Sequence, residues 1–246
     1  MTPRNQEILE DHGLVLPGRF PRDLIALIPI RLPLTFVGFG GLTTRALQDW
    51  LNQRRISYVP GGPHRRLHGA LVARAGHGIV FLDSADDGAE QQLTAAHEIA
   101  HFLEDHVRPR QKALDAFGEV IRPVLDGQRA PTREESVSSV LNRVPLGTHV
   151  HLMDRSRKGA ICSWDVEARE QRADRLALEL LAPAKAALRL LRESAGQSAD
   201  REASGAALLS QEFDLPLSAA RAYVTLLLGK DRPRPKLSER LLGGAR

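Results

Sequence analysis

The stretch Ala95-Ala96-His97-Glu98-Ile99-Ala100-His101-Phe102-Leu103 holds a His-Glu-x-x-His pattern inside an apolar run. An α-helix turns about 100° and rises about 1.5 Å per residue, so His97 and His101 lie one above the other on a single face. Two imidazoles at that spacing can grip one divalent metal ion, and Glu98, on the adjoining face, can reach a water held beside it. The pattern is short. With 9 His in 246 residues, however, random order would produce it only about 2% of the time. A metal site is therefore preferred over a helix that carries two surface histidines.

A catalytic zinc usually takes three protein ligands and keeps one position for water. The single cysteine, Cys162, excludes a thiolate-rich site and an internal disulfide framework, and fits a reducing compartment. The third donor must then be His or a carboxylate. His106 lies nine residues after His97, about 180° around a continuing helix, and points away. Glu104 shares the face of both histidines, but three donors in line along one rigid helix surround a tetrahedral ion poorly. Glu170 and Asp174 form a better pair, four apart on a downstream helical stretch. One can bind metal while the other orients a ligand histidine through its free ring N–H. A solvated helix face accounts for the same spacing without metal. His149 and His151 alternate with Val150 and share one face of a short strand. A solvent-facing edge is the preferred reading there, and zinc ligation the alternative.

The elements that must position these groups follow from capping and periodicity. Leu24 to Ile28 suggests a short helix, and Leu32 to Phe39 a strand. Thr43 or Thr44 caps a helix of about a dozen residues that buries Leu47, Trp50 and Leu51. Ile56 to Val59 reads as a strand stopped by Pro60-Gly61-Gly62-Pro63. Gly69–Arg74 and Gly78–Leu82 are β-rich runs joined tightly enough for a hairpin. Asp87 and Glu90 have capping-box spacing and open the metal-binding helix, which should run to about His106. Helical spacing returns at Leu114–Val124, limited by Pro123, and again after Thr132, whose partner in a capping box is Glu135. Val150–Met153 and Ala160–Trp164 look extended. From Val166 a helix buries Ala173, Leu176, Ala177, Leu180 and Leu181, and a second follows at Ala186–Leu191. Ala206–Phe213 and Ser218–Leu228 then form a helix–turn–helix.

Composition sets the outer bounds. Hydrophobic content of 42% and charged content of 26% belong to a globular chain, and aromatics at 4% leave the core to Leu, Ala, Val and Ile. The apolar stretch Leu24–Leu42 is interrupted by Pro29, Arg31 and Pro33, which reads as a buried, broken segment rather than a membrane span. The N-terminus MTPRNQEILEDHG lacks a basic-then-apolar leader. A soluble, cytoplasmic protein without a membrane partner is expected.

The metal-helix segment Leu93–Leu103 resembles that of the ImmA/IrrE family of zinc metallopeptidases. The stretch Glu170-Gln171-Arg172-Ala173-Asp174-Arg175-Leu176-Ala177-Leu178-Glu179-Leu180-Leu181-Ala182-Pro183 is similar to the family's second signature. That signature is a Glu, then Ala-Asn or Ala-Asp, then an apolar-Ala pair and Leu-Leu-x-Pro. The likeness spans roughly 43–105 and 165–229. It departs at Leu176 and Ala182, where Phe and Met are usual. The 69 positions from His101 to Glu170 are also a longer gap than usual, which marks 107–165 as an insertion.

The resemblance implies an α+β, zincin-like minimal metallopeptidase domain over 43–194, interrupted by that insertion. An N-terminal segment of unclear role, 1–42, precedes it. A C-terminal helical pair resembling a helix–turn–helix, 195–229, and a basic tail, 230–246, follow. The resemblance further implies Zn²⁺ held by His97, His101 and Glu170, with Glu98 as general base and Asp174 supporting a ligand. Peptide hydrolysis, as in a gluzincin, is the expected reaction. The oxyanion donor is not selected among Tyr223, His149, His151 and Arg221. The implied substrate is a helix–turn–helix transcriptional repressor, cleaved in stress response or mobile-element regulation. The rival reading is a DNA-binding or repressor-sequestering regulator with an inert or structural metal site. It draws on the helical pair, the basic tail and a pI near 9.6.

Overall fold

A computed structural model describes residues 3–154, 164–193 and 201–229. The chain divides into two compact units, Met1–Leu181 and Ala182–Arg246. The first is α+β and the second, in its described residues, is helical. Of the expected extended run Ala160–Trp164, residues 160–163 lie outside the described residues and Trp164 is helical, not extended. The linker 195–199 and the basic tail 230–246 also lie outside the described residues.

In the first unit the elements run α1 (Pro3–Asp11), α2 (Leu24–Leu27), β1 (Leu34–Phe39), α3 (Thr44–Gln53), β2 (Leu67–Arg74), β3 (His77–Asp83) and α4 (Gly88–His101). A π-helical stretch, Phe102–Val107, leads straight into α5 (Arg108–Phe117). Then come α6 (Arg122–Leu125), α7 (Arg133–Asn142), β4 (His149–Asp154) and α8 (Trp164–Leu181).

Caps start these helices where side chains supply the missing acceptors. Thr43 accepts from the Ala46 amide ahead of α3, and Asp87 accepts from the Glu90 amide ahead of α4. Thr132 and Glu135 complete a reciprocal capping box on α7.

The strands form one mixed sheet in the order β1-β3-β2-β4. The β2–β3 hairpin turns at Ala75 and Gly76, both at positive φ, which matches strand twist. β1 runs parallel to β3, and β4 lies antiparallel to β2 with His151 opposite Leu71. Side chains alternate across the pleat, so each strand serves two layers. On one face Ala70, Val72 and Phe81 join Leu47 and Leu51 of α3, with Ile79, Val150 and Leu152 packed alongside. The other face belongs to α4. The approach there is so close that a Cβ on Gly69 would sit 2.4 Å from Thr94 Cγ2, and one on Gly78 2.4 Å from Leu34 Cδ2 and 2.9 Å from Phe102. α8 then packs against α4.

Two further expectations change. Ile56–Val59 is not a strand: Ile56 and Tyr58 pack against the α3 core instead of pairing with the sheet. The metal helix does not end near His106 but continues through the π-helical stretch into α5. The helix expected after Thr132 forms, with Val137, Val140 and Leu141 exposed on it. A separate small core under α5 and α6 joins Ala113, Ile121, Val124 and Leu125.

In the second unit, α9 (Ala184–Glu193), α10 (Arg201–Phe213) and α11 (Leu217–Gly229) follow. Leu209, Phe213, Leu215, Ala220, Val224 and Leu227 are buried. Gly205 allows close approach to Leu191 and Val224. Among the described residues of the whole chain, no helix is long and apolar enough to cross a membrane.

Candidate metal centre

α4 turns His97 and His101 toward one point, where their Nε2 atoms lie 3.1 Å apart. Each ring is fixed from behind. His97 Nδ1–H donates to Asp174 Oδ1 at 3.0 Å, and His101 Nδ1–H donates to Asp105 Oδ2 at 2.7 Å. A carboxylate behind each ring selects the tautomer that leaves Nε2 with a free lone pair. Glu170, brought in by α8, places Oε2 3.6 Å from His97 Nε2 and Oε1 3.6 Å from His101 Nε2.

β4 adds a fourth group. His151 Nδ1–H donates to Glu98 Oε2 at 2.9 Å, and its Nε2 lies 3.1 Å from Glu170 Oε1. Its ring stacks on His101 with centroids 3.7 Å apart. Donor atoms of His97, His101, His151 and Glu170 all fall within 4.8 Å of one another. These four residues could hold a metal ion.

The electrostatics of the site suit that role. Burial pushes the His101 imidazole down to about 4, an effect that its bond to Asp105 only partly offsets, so at neutral pH the ring is uncharged. The uncharged His101 ring then faces His97 across their Nε2 atoms, with the Glu170 carboxylate beside them. A cation satisfies such a cluster of lone pairs, whereas an apolar filling would leave them unpaired. Burial alone would raise the Glu98 carboxyl, but the nearby charge and hydrogen bond of His151 outweigh it and hold Glu98 below the usual carboxylate range. Glu98 is fully buried, and its Oε1 has no hydrogen-bond partner among the described residues. That orphaned acceptor points to a further polar atom at the site. The donor set, imidazole and carboxylate with no thiolate, suits zinc and other borderline divalent ions.

The other sequence candidates fall elsewhere. Glu104 is not among the four donors, and its Oε2 lies 4.0 Å from Arg172 Nε. His106 accepts from the Gly76 amide through Nε2 at 3.1 Å. His149 shares the strand face of His151, but its donor atoms are not in the cluster. It lines a cleft of about 620 Å³ together with Glu104, Asp105, Arg143, Arg169 and Arg172. Tyr223, in the second unit, donates its hydroxyl to the Ala182 carbonyl at 2.8 Å. Arg221 is exposed on α11.

Two residues were missed or misread from sequence. Asp105 carried a usable signal, four residues after His101 and so on the same helical face. His151 does not face solvent. Val150 and Leu152 are drawn into the α3 core, and alternation then sends His151 to the α4 side.

Neither a scan against models of known protein families nor a search of curated proteins gives a match for this chain.

Proposed function

We propose that the chain is a metallopeptidase of the gluzincin type, in which His97, His101 and Glu170 hold the ion and Glu98 moves the proton. The observation that carries the reading is the convergence of His97, His101 and Glu170 beside a fully buried Glu98 with an unpartnered Oε1. Within that class, the two sequence signatures support the ImmA/IrrE family. The zincin-like identity of the first unit and the helix–turn–helix likeness of α10 and α11 belong to the same proposal.

A zinc ion bound there would supply Lewis acidity, polarising a carbonyl and lowering the pKa of water toward about 7. The chain's own residues do the rest. Asp174 and Asp105 hold the two imidazoles in register. Glu98, kept ionised at neutral pH, takes a proton from the attacking water at Oε1. It then returns that proton to the departing amine nitrogen. Burial shields this transfer from bulk solvent.

The substrate we propose is a protein, in particular a helix–turn–helix repressor, within cytoplasmic stress or mobile-element regulation. Direct DNA binding finds less support. Residues 202–229 carry one basic side chain, Arg221, against the acidic Glu202, Glu212 and Asp214, a poor footprint for phosphate contacts.

The test pairs metal content with cleavage of a candidate repressor for the wild type and Glu98→Gln. The variant is expected to keep one metal equivalent and to lose at least about 100-fold in cleavage rate, the lower end of a general base's contribution. Equal cleavage by both proteins would falsify the mechanism. A repressor bound tightly but left intact by the wild type would favour sequestration.

A further inference from the structure

A hydrolytic zinc site keeps one coordination position for water, whereas four protein donors close a tetrahedral ion. The described residues supply four. Metal–donor bonds of about 2.0–2.1 Å place the corners of a tetrahedron about 3.3 Å apart. The His97–His101 and His151–Glu170 donor pairs are separated by 3.1 Å, and Glu170 lies 3.6 Å from each of the other two imidazole nitrogens. These distances, measured to both Glu170 oxygens, lie on either side of the ideal edge. All four donor atoms fall within 4.8 Å of one another, so His151 is within reach of the same ion.

The position of His151 is built, not incidental. Val150 and Leu152 are packed into the α3 core, and the antiparallel register sets His151 opposite Leu71. An ion pair between Arg65 and Asp154 ties down the far end of the strand. The same ring takes Glu98 Oε2 as its acceptor, so the proposed general base is engaged by the residue that fills the fourth corner. Among the described residues, β4 is nevertheless the outermost strand of the sheet, paired along one side only, with β2. It can peel away without breaking the β1–β3–β2 ladder.

We propose that His151 is the fourth donor of a closed resting centre and that β4 is a self-inhibiting strap. Opening withdraws the His151 imidazole from Glu98 Oε2 and from Glu170. This frees one corner of the site for water and frees Glu98 Oε2 at once. The four-donor closure rests on the metal centre described above, and its inhibitory sense rests in addition on the proposed hydrolysis.

Full-length protein loaded with Co²⁺ reports coordination through its visible spectrum, and acetohydroxamate probes for an open position. The wild type is expected to show a four-coordinate spectrum that is insensitive to the probe. His151→Ala is expected to bind one Co²⁺ with a spectrum that the probe shifts. Its Zn²⁺ affinity should fall at least about 10-fold, a scale that even a hydrogen-bonding partner of a ligand commands. Arg65→Ala, which leaves every donor in place, should make the wild-type donor set probe-sensitive by loosening β4. It also guards against loss of fold in the first variant, which circular dichroism checks directly. Equal probe sensitivity and equal Zn²⁺ affinity in the wild type and His151→Ala would overturn the proposal. If repressor cleavage is real, His151→Ala raises its rate. If no variant cleaves, the peptidase reading fails while the cobalt result still decides the strap.

Discussion

At the scale of single residues, the candidate metal centre depends on groups outside its four donors. Asp105 is largely buried. Burial alone would raise its carboxyl, but the hydrogen bond from His101 and the surrounding positive groups win and hold it low, as a charged acceptor. Asp105→Asn should therefore weaken Zn²⁺ binding by about 10- to 100-fold while leaving the stoichiometry at one, as read by competition with a chromophoric chelator. Unchanged affinity would remove Asp105 from the support of His101. His97, Glu98 and His101 were legible because one local pattern carries all three. Glu170 and Asp174 were candidates from their spacing on one helical face, but a Glu and an Asp four apart are common on solvated helices, and the likeness of their surrounding segment was needed to prefer them. His151 was not legible. Its strand face is apparent from alternation with Val150, but which side meets α4 depends on α3 covering the other side, and no local pattern states that.

At the scale of elements, the site depends on how close α4 lies to the sheet. Gly69 faces α4 where a methyl group would meet Thr94 Cγ2 at 2.4 Å and the Phe81 carbonyl oxygen at 3.1 Å. Gly69→Ala must push α4 and β2 apart. Overpacking of this kind costs about 1–3 kcal/mol, to be read as a lowered urea midpoint, with a parallel loss of metal affinity because Glu98 and His97 ride on the displaced helix. Full stability with normal affinity would show that the layers have slack. Helix starts were readable because Thr43, Asp87 and Thr132 are caps with a chemical reason to be there. Ends and pairings were less so. Ile56–Val59 has β-forming residues but spends them on packing, and the π-helical stretch after His101 shows no mark in residue type. It carries Asp105 against His101 and His106 toward Gly76.

At the scale of the whole molecule, buried histidines couple folding to pH. His106 is pushed down to about 4, first by burial and then by its neighbours His149 and Arg110. The unfolded chain takes up a proton near 6.5 that the folded chain refuses until about 4. This contribution to stability is therefore complete above pH 6.5, falls as the pH drops toward 4, and changes no further below that. His106→Gln keeps an acceptor for the Gly76 amide and removes the titration. Its urea midpoint is expected to fall less steeply between pH 6.5 and 4, by up to one proton in the linkage slope. An unchanged slope would assign the pH dependence to other groups.

The sheet order has a temporal consequence. The hairpin and α4 occupy one continuous stretch, Leu67–His101, and bring two donors together through local contacts. His151 and Glu170 arrive only after loops of 50 and 69 positions have closed, and contacts of such separation form late in folding. On the proposed metal reading, a nascent or refolding chain would meet the ion first as a loose two-imidazole chelate. Tight uptake would then mark the docking of β4 and α8, making the ion a stamp of completed assembly rather than a seed for it.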